Sequence, residues 1–137
     1  MKLWIDDMRE APEGYVWCKS TNEALRTIVD NKDDIELIDL DHDAGDYAKD
    51  GGDFIIVLKE LERLSRHTSV VDGQVFHNYW HMRCHEIKFR LHSANPVGVQ
   101  NMRAILEHNG WTEVKEDEEP QNSKDWIISR MTETMEC

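Results

Sequence analysis

The stretch Leu3-Trp4-Ile5-Asp6-Asp7 is a short apolar run that stops at two aspartates. A run of this kind, with no alternation of polar and apolar residues, reads as a buried strand of a parallel sheet. Two further segments repeat the pattern. Ile35 to Leu40 is mostly apolar, which predicts a central strand, and it ends at Asp41-His42-Asp43. Ile87, Phe89 and Leu91 alternate with Lys88, Arg90 and His92, which predicts a strand with one face less buried than the other, and Ser93-Ala94-Asn95 follows it.

Helices fit between these strands. Tyr15 to Cys18 has strand-forming residues. Ser20 followed by Glu23 matches a capping box, and Ala24, Leu25, Ile28 and Val29 recur at helical spacing, so a helix is predicted over 21–31. Gly45, Gly51 and Gly52 predict a loop, after which Phe54, Ile55, Leu58, Leu61 and Leu64 predict a second amphipathic helix. Asn95-Pro96 supplies a cap and a first-turn proline for a third helix, continued by Met102, Ile105 and Leu106 and ended by Gly110. Residues 66–85 show no clear period and read as an irregular insertion with one helical turn. Trp111 to Lys115, the acidic stretch Glu116 to Pro120 and a last candidate strand, Trp126 to Met131, complete an acidic C-terminal segment at about 111–137. The whole chain, 1–137, reads as one domain.

Strands alternating with helices favour a mostly parallel sheet of about five strands covered by helices, an α/β fold in three layers. In such sheets ligands sit beyond the C-terminal ends of the strands. Asp6-Asp7, Asp41-His42-Asp43 and His92-Ser93-Ala94-Asn95 all fall at such ends, and this coincidence is the main functional signal.

Composition narrows the function. The 137 residues carry a formal net charge of -12, which argues against broad binding to duplex DNA, since that needs clustered Lys and Arg. A small nucleotide or an RNA end held at a metal stays compatible with it. No run of about 18 apolar residues predicts a membrane span. The N-terminal residues lack the regions of a signal peptide, and Cys18, Cys84 and Cys137 are odd in number without CxxC spacing, so a cytoplasmic protein with free thiols is expected.

Three motifs resemble one known family. Ile5-Asp6-Asp7-Met8-Arg9, Leu40-Asp41-His42-Asp43-Ala44-Gly45-Asp46 and the stretch from His92-Ser93-Ala94-Asn95-Pro96 to Met102 occur in the order seen in cyclic-phosphate processing receiver domains, over roughly residues 1–109. These are a divergent branch of the response-regulator receivers. The resemblance implies a receiver (flavodoxin-like) fold turned from signalling to phosphoester chemistry on cyclic phosphates, such as those at RNA ends or on nucleotide derivatives. In receivers the paired acids hold a divalent metal, the residue at the place of Asp41 accepts a phosphoryl group, and a Ser or Thr stands at the place of Ser93. This chain departs from receivers in lacking a Lys-Pro pair after the fifth strand; Lys115 and Lys124 are weak stand-ins.

Carboxylates suit Mg²⁺ or Mn²⁺, and imidazoles add affinity for Zn²⁺. Asp6, Asp7, Asp41 and Asp43 are therefore the candidate metal ligands, unless some of them only cap loops. His42 and His92 are candidates for general acid and base, or for metal ligation. Arg9, Ser93 and Asn95 are candidates for holding phosphate, helped by the N-terminus of the third helix. His77, His81 and His85 are spaced by four and on a helix would share a face that could bind zinc, but no Asp or Glu before Glu86 supports such a site, which favours a partly exposed, substrate-facing or structural insert; Phe76, Tyr79 or Trp80 could stack a base or belong to the local core. The expected function is a metal-dependent hydrolase, a phosphodiesterase acting on a small nucleotide-like or RNA-end cyclic phosphate. The competing readings are a non-enzymatic receiver-like signalling or nucleotide-binding module with Asp41 as phospho-acceptor, and a small partner-binding accessory protein.

Overall fold

A computed structural model of the chain describes residues 1–115. The expectations for Glu116 to Pro120, for Lys124, for Cys137 and for a strand at Trp126 to Met131 lie outside the described residues.

The elements run β1 (Lys2–Ile5), β2 (Tyr15–Cys18), α1 (Thr21–Asp30), β3 (Leu37–Leu40), a 3-10 turn (Gly45–Lys49), α2 (Ile55–Ser65), β4 (Thr68–Val71), β5 (Gln74–His77), α3 (Tyr79–Glu86), β6 (Lys88–Leu91), α4 (Pro96–Asn109) and β7 (Thr112–Glu113). Five of the strands form one sheet in the order β2-β1-β3-β6-β7, and every pairing in it is parallel. Four helices flank it. This is the receiver (flavodoxin-like) arrangement, with strand order reversing beside the first strand.

Local chemistry explains the elements. All four residues of β3 are buried, as its central place requires, whereas β6 buries Phe89 and Leu91 and leaves Lys88 and Arg90 half-buried. The Ser20 side chain accepts from the Glu23 amide, but Glu23 reaches back to the Lys19 N–H, not to that of Ser20, so the capping box closes one residue early. Asn95 caps α4 by accepting from the Gly98 N–H, and Gly110 ends it in the left-handed conformation. Leu3, Ile5, Ile38, Leu40 and Phe89 of the sheet pack with Ile28, Leu58, Leu61, Met102 and Leu106 of the helices into one core. Burial of each such side chain contributes about 1.5–3 kcal/mol.

Two segments carry more structure than the sequence reading gave them. The fifth strand of the sheet comes from Thr112–Glu113, at the start of the C-terminal segment. The insertion is ordered: β4 and β5 form an antiparallel hairpin, and Asn78 then caps the two-turn helix α3. The hairpin turns at Asp72-Gly73, both with positive φ (50° and 78°), the conformation that Asp-Gly favours between two strand-forming runs.

The insertion also lies at the far end of the sheet from the three polar clusters. Arg83 of α3 donates from Nε to the Lys32 carbonyl and from a terminal nitrogen to that of Ile35, just before β3 begins. Asp41 leaves β3 at its opposite end. Phe76, Tyr79 and Trp80 therefore cannot stack on a substrate held by the clusters. Trp80 instead packs on the core, and the Tyr79 hydroxyl donates to Asp33. No helix of the described residues is long and apolar enough to cross a membrane.

Candidate functional site

The loop after β1 is organised by Asp6. Its Oδ1 accepts from the amides of Met8 and Arg9, both at 2.9 Å, while Oδ2 meets Nε2 of His92 at 2.9 Å. Burial would raise the Asp6 pKa, but the Arg9 and Met8 amides and His92 outweigh it, so the carboxyl sits below its ordinary value. Asp7 behaves in the opposite way. Burial and the neighbouring charges of Asp6 and Asp41 hold its pKa above the ordinary value despite its own backbone N–H.

Asp41 is delivered by β3. Its amide donates to the Ile5 carbonyl, and its Oδ1 accepts from the His42 N–H at 2.8 Å. Asp6, Asp7 and Asp41 thus present oxygens that all lie within 4.8 Å of one another. This donor set of carboxylates fits a hard divalent cation, which would also offset the mutual repulsion of Asp6, Asp7 and Asp41.

Asp43 does not join that group. It stands with His42 and with Asp53, a residue the sequence reading missed, in a second cluster whose ligand atoms also lie within 4.8 Å of one another. Asp53 is held at the start of α2, where its Oδ1 accepts from the Ala44 N–H. His42 Nδ1 donates to Asp43 Oδ1 at 2.8 Å. A carboxylate only accepts, so Nδ1 carries the proton and, in the neutral ring, Nε2 keeps a free lone pair. The ring lies against Gly98 in the first turn of α4, where a Cβ would come within 2.5 Å of it.

His92 is differently placed. It is 8% exposed, at the end of β6, and its ring stacks on Trp4 with centroids 3.8 Å apart and planes 6° from parallel. Nδ1 meets Asp39 Oδ1 at 2.6 Å, and Nε2 meets Asp6. Burial alone would lower the His92 pKa, but the hydrogen bonds and charges of Asp39 and Asp6 outweigh it and raise the value. Both ring nitrogens face carboxylates, so the imidazolium form satisfies both. Asp39, itself 1% exposed, is a second residue the sequence reading missed. The signal was present: a lone charge between Ile38 and Leu40 in a buried strand needs a partner.

The remaining candidates surround these groups. Arg9 is exposed and donates weakly to the His92 carbonyl at 3.4 Å, which lays the β1 loop across the end of β6. Ser93 Oγ accepts from the Asn95 N–H, and the Asn95 amide nitrogen reaches both Asp43 oxygens at 3.5 Å. Ser93 also lines an open cleft of about 330 Å³ with Leu91, Val99, Arg103, Glu113 and Lys115. Lys115 follows β7, and its Nζ lies 3.4 Å from Glu113. A cation therefore stands past the end of the fifth strand, on the same cleft as Ser93, without the Lys-Pro pair of ordinary receivers.

Comparison with known proteins agrees with this fold. No curated protein and no solved structure gave a match to the chain. The family model described as the cyclic-phosphate processing receiver domain matches residues 1–108, which takes in β1 through α3, β6, all but the last residue of α4, and the three polar clusters. With more than half of its length matched, the chain belongs to the cyclic-phosphate processing receiver domain family.

Proposed function

We propose that this protein is a metal-dependent phosphoesterase that opens a cyclic phosphate on a nucleotide, a nucleotide derivative or an RNA end. The observation that carries the reading is the pairing of two different groups at one sheet edge. One is the converged carboxylates of Asp6, Asp7 and Asp41; the other is a histidine, His42, oriented by Asp43. Membership of a family described by cyclic-phosphate processing supports it.

The roles divide by geometry. Asp6, Asp7 and Asp41 would hold Mg²⁺ or Mn²⁺. Such an ion, when bound, would offset charge on the phosphoryl oxygens. His42, with Nδ1 fixed on Asp43, offers Nε2 as the base that takes a proton from the attacking water. The new bond joins that water oxygen to phosphorus, the bond from phosphorus to one sugar oxygen breaks, and that oxygen takes up a proton from solvent. His92, engaged on both nitrogens, positions Asp6 and is not itself the proton carrier. Arg9, Ser93 and Asn95 would hold the phosphate, and the cleft that Ser93 lines with Lys115 would give room for the rest of a small ligand. A cytoplasmic setting belongs to the same proposal.

The test is incubation of the protein and its His42→Ala variant with 2′,3′-cyclic nucleotides, RNA ending in a cyclic phosphate, and ADP-ribose cyclic phosphate, with Mg²⁺ or Mn²⁺. A phosphomonoester product, reduced at least 100-fold in the variant, is expected. No turnover of any of them with either metal would sink the reading. A stable phosphoryl adduct on Asp41 from a small phosphodonor, absent in Asp41→Asn, would instead favour a signalling module.

A further inference from the structure

At the other end of the sheet, His77, His81 and His85 form a ladder of imidazoles. His77 ends β5, Asn78 caps α3, and His81 and His85 follow on one face of that helix, one turn apart. The His77 and His81 rings stack at 3.9 Å between centroids, and those of His81 and His85 lie 4.9 Å apart at 60°. Among the described residues no group hydrogen-bonds to a ring nitrogen of any of the three. Burial, with the rings of His77 and His85 beside it, holds the His81 pKa below the ordinary imidazole value, which favours the neutral, ligating form of the central ring.

We propose that His77, His81 and His85 form a binding site for a zinc-class transition-metal ion that fastens the β4–β5 hairpin to α3. Imidazole nitrogens without a carboxylate select Zn²⁺, Ni²⁺ or Cu²⁺ over Mg²⁺ and Mn²⁺, so this site and the carboxylate site take different ions. His81 and His85 are the chelating pair, four residues apart on a helix. His77 supplies the third nitrogen and solvent a fourth position, a common zinc environment. The rings are stacked rather than aimed at one point. His77 and His85 are exposed, however, so rotation of their side chains can turn nitrogens inward to distances of about 2.0–2.1 Å from one ion.

The hairpin gives the site a purpose. All eight residues of β4 and β5 are exposed, with Val70 67%, Val71 55%, Val75 60% and Phe76 49% accessible. A two-stranded hairpin with neither face covered is marginal by itself. A metal bridging His77 to α3 would tie the hairpin's last residue to a helix that Arg83 anchors on the loop before β3.

The experiment is a calorimetric titration of the full chain with Zn²⁺ in excess Mg²⁺, paired with hydrogen exchange of the amides in 68–86. The unaltered protein is expected to bind one Zn²⁺ more than His81→Ala, with slower exchange across the hairpin only when Zn²⁺ is present. His85→Gln, a change at an exposed position, must weaken the same site at least 10-fold, which covers the case in which His81→Ala perturbs the helix. Asp7→Asn must retain the site, which separates it from the carboxylate cluster. Equal Zn²⁺ stoichiometry and affinity in the unaltered protein and in His85→Gln would overturn the proposal, as would Zn²⁺ binding that slows no amide in 68–86.

Discussion

The imidazole of His92 meets the carboxylate of Asp39 at 2.6 Å, with His92 8% exposed and Asp39 1% exposed. The pair sits behind Asp6 and beneath Trp4, so it links the core of the sheet to the candidate metal ligands. Removing one member leaves the other's charge buried. Asp39→Ala is expected to lower stability by about 3–5 kcal/mol in urea denaturation. Asp39 and His92 should also couple by more than about 1 kcal/mol in a double-mutant cycle. Additive effects of Asp39→Ala and His92→Ala would show that the contact carries no energy.

Asp7 should separate folding from metal binding. Its charge is opposed by burial and by Asp6 and Asp41, so Asp7→Asn is expected to leave the metal-free protein as stable as the parent or more so. The same change should remove most of the rise in Tm produced by Mn²⁺. A thermal scan with and without Mn²⁺ reads both, and an undiminished rise in the variant would take Asp7 out of the ligand set.

Gly98 sets the position of His42. A methyl group there would come within 2.5 Å of the imidazole, which is held on its other side by Asp43. Gly98→Ala is therefore expected to cost about 1–3 kcal/mol from overpacking. It should also lower cyclic-phosphate turnover by at least 10-fold without changing Mn²⁺ affinity. Full turnover in a folded Gly98→Ala protein would argue that the placement of His42 is immaterial.

The Arg103–Glu113 pair should give the acid limb of the stability curve a definite contribution. Arg103 donates to both Glu113 oxygens, at 2.8 and 2.7 Å, and joins α4 to β7. The hydrogen bond from Arg103, acting against burial and helped by charge from Arg103 and Lys115, lowers the Glu113 pKa. For a carboxyl lowered in the folded state, the stabilisation is complete above its unfolded value, about 4.3, and is lost as pH falls through the folded value. Glu113→Gln should remove about 1 kcal/mol at pH 7 and nothing once the carboxyl is protonated in both states. A difference between the two proteins that persists at pH 2 would contradict this.

The sequence by itself determined the order of the main elements, because hydrophobic period and capping chemistry are local. Leu3 and Ile5 are buried as their apolar run predicts, with Trp4 between them half-buried, Ser20 and Asn95 announce the helices they cap, and the polar ends of β1, β3 and β6 mark the candidate site once a parallel sheet is assumed. The Asp72-Gly73 hairpin is equally local, but the sequence reading missed it, because that reading sought a helical period there.

What each polar residue does was decided only by the tertiary structure. His42 and His92 have the same chemistry in the sequence. Folding leaves Nε2 of His42 free and closes both nitrogens of His92 on carboxylates 53 and 86 residues away. The split of Asp43 from Asp6, Asp7 and Asp41, the recruitment of Asp53, and the distance of the insertion from the site all depend on which strands become neighbours. Protonation and ligand geometry follow from contacts between residues far apart in the chain, and those contacts exist only after the sheet has assembled.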